Sequence, residues 1–185
     1  DNDAIKKVVV ITADTLSKKV SKYDRNNNPQ IGDGASITIV ESAPSTEEIF
    51  VQTKVDGSGA DVLIIPAGGF KTPSSEKTAE LTNDTAGNRR SLDHLVMKGD
   101  EVFNFVQREI PPLVEELLQN AHLEKDDIEY FVFHQPNKFM LKKLADKMAI
   151  PYAKMPNNVV ETYGNSSGVT IPVALTMNFR EKLLH

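Results

Sequence analysis

The stretch Ile128–Met148, IEYFVFHQPNKFMLKKLADKM, changes its hydrophobic period halfway along. Ile128 to Phe133 is an apolar and aromatic run, the pattern of a buried strand. From Asn137 onward the apolar residues Leu141, Leu144 and Met148 fall at the spacing of one helix face. Asn137 is itself a residue type that caps a helix start. A strand that runs directly into a helix is the building unit of α/β proteins. His134 stands at the junction, where open α/β sheets gather their sites. A strand that merely stops on a polar residue is the commoner origin of such a histidine. The choice depends on what else in the chain could stand beside it.

Working outward, the same pattern recurs. VVVITA (Val8 to Ala13) is continuously apolar, as expected of a strand buried on both faces. ITIVES (Ile37 to Ser42), IFVQTKV (Ile49 to Val55) and DVLIIPA (Asp61 to Ala67) read as further strands. Between the first two lies a turn-rich loop, DRNNNPQIGDGAS. Gly68 to Arg90 is rich in Gly, Pro, Ser, Thr and Asn, the composition of a linker, and reads as a long surface excursion. Val102, Phe103, Phe105, Val106 and Ile110 make a helix face, which Pro111 and Pro112 are expected to break or restart before Leu113, Val114, Leu117 and Leu118 continue it. Near the end a Gly-Asn-Ser turn precedes a helix, with Pro172 either in its first turn or bending it. The whole is an α/β protein with a mixed sheet.

Composition removes several classes of function. The chain of 185 residues is 39% hydrophobic and 25% charged, which suits an ordinary globular protein of one domain or one and a half. A net charge of −5 argues against general nucleic-acid binding, which needs a broad basic surface. No apolar run approaches the ~20 residues of a membrane span. With no cysteine, disulfides, thiolate metal sites and a cysteine nucleophile are all excluded within these residues. No metal or redox cofactor is expected: His, Asp and Glu show no ligand spacing, and no phosphate-binding glycine motif is present. The polar start DNDAIKK leads straight into a strand, as expected of a chain that begins inside a larger protein.

His134 has one plausible companion. Asn165 lies in the Gly-Asn-Ser turn where a helix begins. A helix start presents free N–H groups, and a carboxamide adds two more donors. A histidine and an asparagine together hold an oxygen on which negative charge develops.

The residues also resemble a known family. GDGAS (Gly32 to Ser36), MKGDEVFNFV (Met97 to Val106), FHQPN (Phe133 to Asn137) and YGNSSG (Tyr163 to Gly168) occur in the order and spacing of β-ketoacyl-acyl-carrier-protein synthase III. This is a condensing enzyme of the thiolase superfamily, and the resemblance runs from about Val8 to Leu183. It implies a thiolase-like layered α/β fold with a mixed five-stranded sheet per half. Residues 1–45 would be the tail of the N-terminal half and residues 46–185 the C-terminal half. The implied reaction is decarboxylative condensation of an acyl-CoA with malonyl-acyl carrier protein, in fatty acid biosynthesis. The implied setting is a cytoplasmic homodimer that uses coenzyme A and carrier-protein thioesters as substrates and has no membrane or nucleic-acid partner. Alternatives are a related acyltransferase of secondary metabolism and a non-catalytic partner subunit.

Of the family's Cys-His-Asn trio, the resemblance assigns the histidine to His134 and the asparagine to Asn165. The cysteine is missing. The chain is therefore expected to be a piece of a longer protein, short at both ends and inactive alone, the alternative being a protein that has lost the chemistry. Gly99, Phe103, Pro136 and Asn137 match positions that line the family's pantetheine tunnel. Each also has a structural reading: turn glycine, core phenylalanine, strand-ending proline and helix cap. Lys138, Lys142, Lys143 and Lys147 form a basic face, either solvated or a dock for the acidic carrier protein. Phe139 and Asn104 depart from the basic residues often found there in bacterial relatives. Asp33 is expected to be structural, and His94, His122 and His185 to be surface residues.

Overall fold

A computed structural model describes residues 5–42 and 48–183. Strands β1 (Lys7–Asp14) and β2 (Gly34–Glu41) pair antiparallel, with Lys7 opposite Glu41 and Asp14 opposite Gly34. Short strands follow: β3 (Leu63–Ile64), then β4 (Thr82–Asn83) and β5 (Arg89–Arg90) after the single-turn helix α1 (Glu76–Ala79), and β6 (Val96–Met97). Four longer elements are helices: α2 (Gly99–Asn120), α3 (Lys138–Met148), α4 (Val159–Tyr163) and α5 (Thr170–Leu183). A proposed boundary between residues 45 and 46 lies outside the described residues.

The core sits between α2 and α3. Leu141, Leu144, Ala145 and Met148 of α3 pack with Phe131, Ile150 and Met155, and Val106, Ile110 and Val114 of α2 close the cluster. The spacing read from the sequence thus becomes the buried face of α3. The helix starts where the Asn137 Oδ1 accepts the Met140 N–H at 2.7 Å. It stops at Ala149, which is left-handed at φ 54°.

Several expectations change. The described residues form three two-stranded antiparallel sheets, β1–β2, β3–β6 and β4–β5, in place of a mixed five-stranded one. Ile128 to Phe133 joins no ladder among the described residues; the Phe131 N–H donates to the Lys154 carbonyl at 2.8 Å. Ile49 to Val55 has no regular structure, and Ile49, Val51 and Val55 are exposed. Of Asp61 to Ala67 only Leu63 and Ile64 pair. β1 is not buried on both faces: Val8, Val9, Val10 and Ile11 are all exposed. A strand needs a partner for its backbone and a layer for its side chains. Among the described residues β1 has one neighbour, and only its Thr12–Asp14 end is partly covered.

The prolines do not interrupt α2, which runs 22 residues through Pro111 and Pro112. Each removes one N–H, and the packed apolar face carries the helix across. Gly68 to Arg90 is an ordered unit and not a bare excursion. Ser75 and Thr78 form a capping box on α1. The β4–β5 hairpin aims Arg90 at Asp24 (2.6 Å) and Asp84 (2.7 Å). Asp24 is sealed from water and also accepts from the Asn26 and Asn27 backbone and the Asn27 Nδ2. This tie connects the loop before β2 to the segment that sequence composition alone marked as a linker.

Candidate functional site

The site is assembled where two glycine motifs cross. The chain at Ile31–Gly32 passes over Tyr163–Gly164 with almost no gap. A Cβ on Gly32 would lie 2.0 Å from the Tyr163 carbonyl oxygen, and one on Gly164 would lie 2.9 Å from the Gly32 nitrogen. Gly164 also adopts φ +73°, a conformation side chains disfavour. The crossing is fixed by Gly32 N–H donating to the Asn165 carbonyl (2.9 Å) and Asn165 N–H donating to the Gln30 carbonyl (2.7 Å). Asn165 is thereby set in place. Its Oδ1 accepts the Ser167 N–H at 3.0 Å, so its NH₂ end remains for the adjoining cleft.

His134 arrives from the other side, on the segment between Phe133 and α3. Its neighbour Gln135 is fully buried and pins this segment: Nε2 donates to the Phe133 carbonyl (3.0 Å) and the Pro156 carbonyl (2.9 Å). The His134 Nδ1 lies 2.6 Å from the Thr170 Oγ1. The residue is exposed at the cleft, yet the protein atoms around its ring disfavour the charged form and push its pKa below the ordinary histidine value, offset in part by the Ser167 carbonyl. The shift favours the neutral imidazole.

Between these two walls lies a cleft of about 340 Å³, lined by His134, Asn165, Gly99, Pro136 and Asn137. The structure thus brings five of the six predicted catalytic and substrate-binding residues together. Phe103 is the exception: one turn along α2 from Gly99, it stacks on the exposed Phe139 with ring centroids 5.8 Å apart, outside the cleft lining. Asn137 caps α3 through Oδ1 and also stands in the cleft lining. Asp33 is structural as expected, accepting the Ser17 N–H (2.9 Å) and Oγ–H (2.6 Å). His94 is half-buried, not a surface residue, with Nδ1 tied to the Ser91 N–H (3.0 Å) and hydroxyl (2.7 Å). His122 is exposed, and His185 lies outside the described residues.

The basic helix face is divided. Lys142, Lys143 and Lys147 are exposed, with Lys142 over the Tyr152 ring and Lys143 over the Phe139 ring, each 5.8 Å from its centroid. The Lys147 Nζ donates to the Gln107 carbonyl (2.7 Å), and Lys138 is paired with Glu161. Three exposed cations remain on this face, one of them, Lys143, over Phe139.

Sequence reasoning missed Gln30, Ile31, Leu63, Leu95, Met97 and Met140 in the lining, and Thr170 and Gln135 behind His134. Gln30 and Ile31 abut the GDG motif and Met97 opens the MKGDEV motif, so those were within reach. Thr170 carried no signal. Among the described residues no group of three or more His, Asp or Glu side chains is placed to hold a metal ion.

Two family models match the chain: 3-oxoacyl-[acyl-carrier-protein] synthase III over residues 1–59, and the C terminal of the same synthase over residues 118–185. The β-ketoacyl-[acyl-carrier-protein] synthase III of Clostridioides difficile is 33% identical over 178 residues, covering 95% of this chain and 51% of that protein. The Synechococcus protein of the same description is 32% identical, covering 96% and 50%. A crystal structure described as 3-oxoacyl-(acyl-carrier-protein) synthase III superposes with a TM-score of 0.89 at 37% identity, over 98% of this chain and 54% of that one. A 3-oxoacyl-(acyl-carrier protein) synthase from Burkholderia xenovorans gives 0.79 at 35% identity, over 98% and 50%. The chain spans about half the length of the curated relatives it matches.

Proposed function

The chain belongs to the 3-oxoacyl-[acyl-carrier-protein] synthase III family and has its thiolase-like α/β fold, and from that premise we propose that it carries the malonyl-handling side of a synthase III active site. The parent reaction joins an acyl group from acyl-CoA to malonyl-acyl carrier protein, releasing coenzyme A and carbon dioxide, in fatty acid biosynthesis. His134 and Asn165 each donate a hydrogen bond to the malonyl thioester carbonyl. As the carboxylate leaves as carbon dioxide, its electron pair passes to the α-carbon and the carbonyl oxygen, giving an enolate. Two preorganised donors stabilise that oxygen more than they stabilise the starting carbonyl, by about 2.7–4 kcal/mol per donor. The observation that carries this reading is that His134 and Asn165 meet in one cleft, the asparagine with its acceptor oxygen already engaged and the histidine held neutral.

Gly99, Pro136 and Asn137 suit the wall of a pantetheine path, with the Phe103–Phe139 stack at its rim. Lys142, Lys143 and Lys147 suit the dock of an acidic carrier protein, with Lys138 already paired. The reading draws on no metal or redox group; its acyl carriers are the substrates. It places residues 1–45 in the N-terminal half and 46–185 in the C-terminal half of a cytoplasmic homodimer. Among the described residues, no helix is long and apolar enough to cross a membrane.

The chain has no cysteine to accept the acyl group, so alone it is expected to be inactive in condensation; the inactivity expected from the sequence is thus narrowed to that step, because decarboxylation of malonyl-CoA uses only the two donors. The test is acetyl-CoA release from malonyl-CoA, followed by chromatography. His134→Ala and Asn165→Ala should each lower the rate about 10²–10³-fold. Equal rates in wild type and both variants would remove the proposed role.

A further inference from the structure

Thr170 is fully buried at the first position of α5, and its Oγ1 has three polar neighbours. The Ser167 carbonyl lies at 3.0 Å, the Gln135 N–H nitrogen at 3.1 Å and the His134 Nδ1 at 2.6 Å. A hydroxyl has one proton and two lone pairs. The Gln135 N–H can only donate, so it occupies a lone pair. The hydroxyl proton then goes either to the Ser167 carbonyl or to the His134 Nδ1.

Two observations decide between them. A separation of 2.6 Å is short for an N–H donor, which prefers about 2.9–3.0 Å, and ordinary for a hydroxyl donor, whereas 3.0 Å to Ser167 is long for a hydroxyl. The Ser167 carbonyl already accepts the Thr170 backbone N–H, so it is not left unpaired when the hydroxyl turns away. Donation from Gln135 into the oxygen strengthens its O–H as a donor to whichever acceptor it meets.

We infer that Thr170 is a positioning residue: its hydroxyl donates to the His134 Nδ1 and fixes the neutral imidazole as the Nε2–H tautomer, leaving Nε2 as the donor. Which nitrogen carries the proton decides whether the ring offers the substrate oxygen a hydrogen bond or a lone pair. The tautomer follows from Thr170 geometry alone; its catalytic consequence rests on the proposed function.

The test is ring-nitrogen NMR of the ¹⁵N-histidine-labelled chain above the histidine titration range. There are four histidines, and His134→Ala identifies the signals that belong to this one. In wild type, Nδ1 should give the unprotonated signature and Nε2 the protonated one. Thr170→Val keeps the shape but removes the hydroxyl. The donor to Nδ1 is then gone, while the Ser167 carbonyl beside the ring can only accept, so the protonated signature should move to Nδ1. Thr170→Ser should restore the wild-type spectrum. A protonated Nδ1 in wild type, or an unchanged tautomer in a folded Thr170→Val, overturns the inference. If Thr170→Val does not fold, the wild-type spectrum still decides. Malonyl-CoA decarboxylation separates this from the functional reading. Where Thr170→Val shifts the tautomer, the rate should fall roughly 10- to 10²-fold, within the loss expected for one oxyanion donor. A shifted tautomer with an unchanged rate would leave Thr170 as the tautomer setter and overturn the role given to His134.

Discussion

Replacing Gly32 with alanine should separate the two motifs that build the site. The new Cβ would sit 2.0 Å from the Tyr163 oxygen and 3.2 Å from the Gly164 Cα. Real Cβ contacts essentially never fall below 3.0 Å, so the crossing segments must part by about 1 Å. Both neighbours are backbone and cannot swing aside as a side chain would. Stretched by that amount, the bonds at 2.9 Å (Gly32 to Asn165) and 2.7 Å (Asn165 to Gln30) leave the hydrogen-bonding range. Each is worth about 0.5–1.5 kcal/mol net, and more if water cannot replace it; added strain brings the expected loss to roughly 2–4 kcal/mol. Urea unfolding followed by far-ultraviolet circular dichroism measures this as a lower midpoint at unchanged slope. Gly57→Ala is the control, since a Cβ there meets nothing within 4 Å. The same variant should lose decarboxylation, because Asn165 moves with its turn. A Gly32→Ala midpoint within about 0.5 kcal/mol of wild type would refute the crossing as a rigid contact.

Asp24 should make stability depend on acid. Burial raises its pKa, but hydrogen bonds from Arg90, the Asn27 and Asn26 backbone and the Asn27 side chain outweigh this and hold it below 3.8. A carboxyl whose folded pKa is depressed contributes stability that is complete above its unfolded value and is lost as pH falls through the folded one. Asp24→Asn should therefore cost most near neutral pH, and its urea midpoint should approach wild type as pH falls below 3.8; a constant gap would exclude this linkage. Reversing Lys142, Lys143 and Lys147 to Glu in the full-length enzyme should weaken use of malonyl carrier protein more than use of malonyl-CoA. Added salt should narrow the difference, since the screening length is only ~8 Å near physiological ionic strength. Equal loss for both substrates would point to damaged folding and not to docking.

The helices were largely legible. Leu141, Leu144 and Met148 announced the buried face of α3, and Asn137 its cap, because a helix closes its hydrogen bonds within a few residues. The same locality explains the miss at Pro111 and Pro112. Their own chemistry favours a break, but the long apolar face of α2 packs through them. Strands fared worse for the opposite reason. Ile49 to Val55 and Ile128 to Phe133 have strand-like sequence, yet a strand exists only where another segment supplies its ladder, and none does so here among the described residues.

The candidate site divides along the same line. His134, Asn165, Gly99, Pro136 and Asn137 could be named from short motifs, since the conformations that present them are set by the residues beside them: a helix cap, a glycine turn, a helix start. What the sequence could not contain was distance. Gly32 touching Gly164, Arg90 reaching Asp24 across a supposed linker, and Thr170 standing 2.6 Å from His134 are contacts between residues far apart in the chain. Phe103 shows the converse. Its motif pointed to the cleft, and packing turned it onto Phe139 instead. Chemical identity belongs to the residue and is written in the sequence; the partner that selects a tautomer, a charge state or a direction is chosen only when the chain closes on itself.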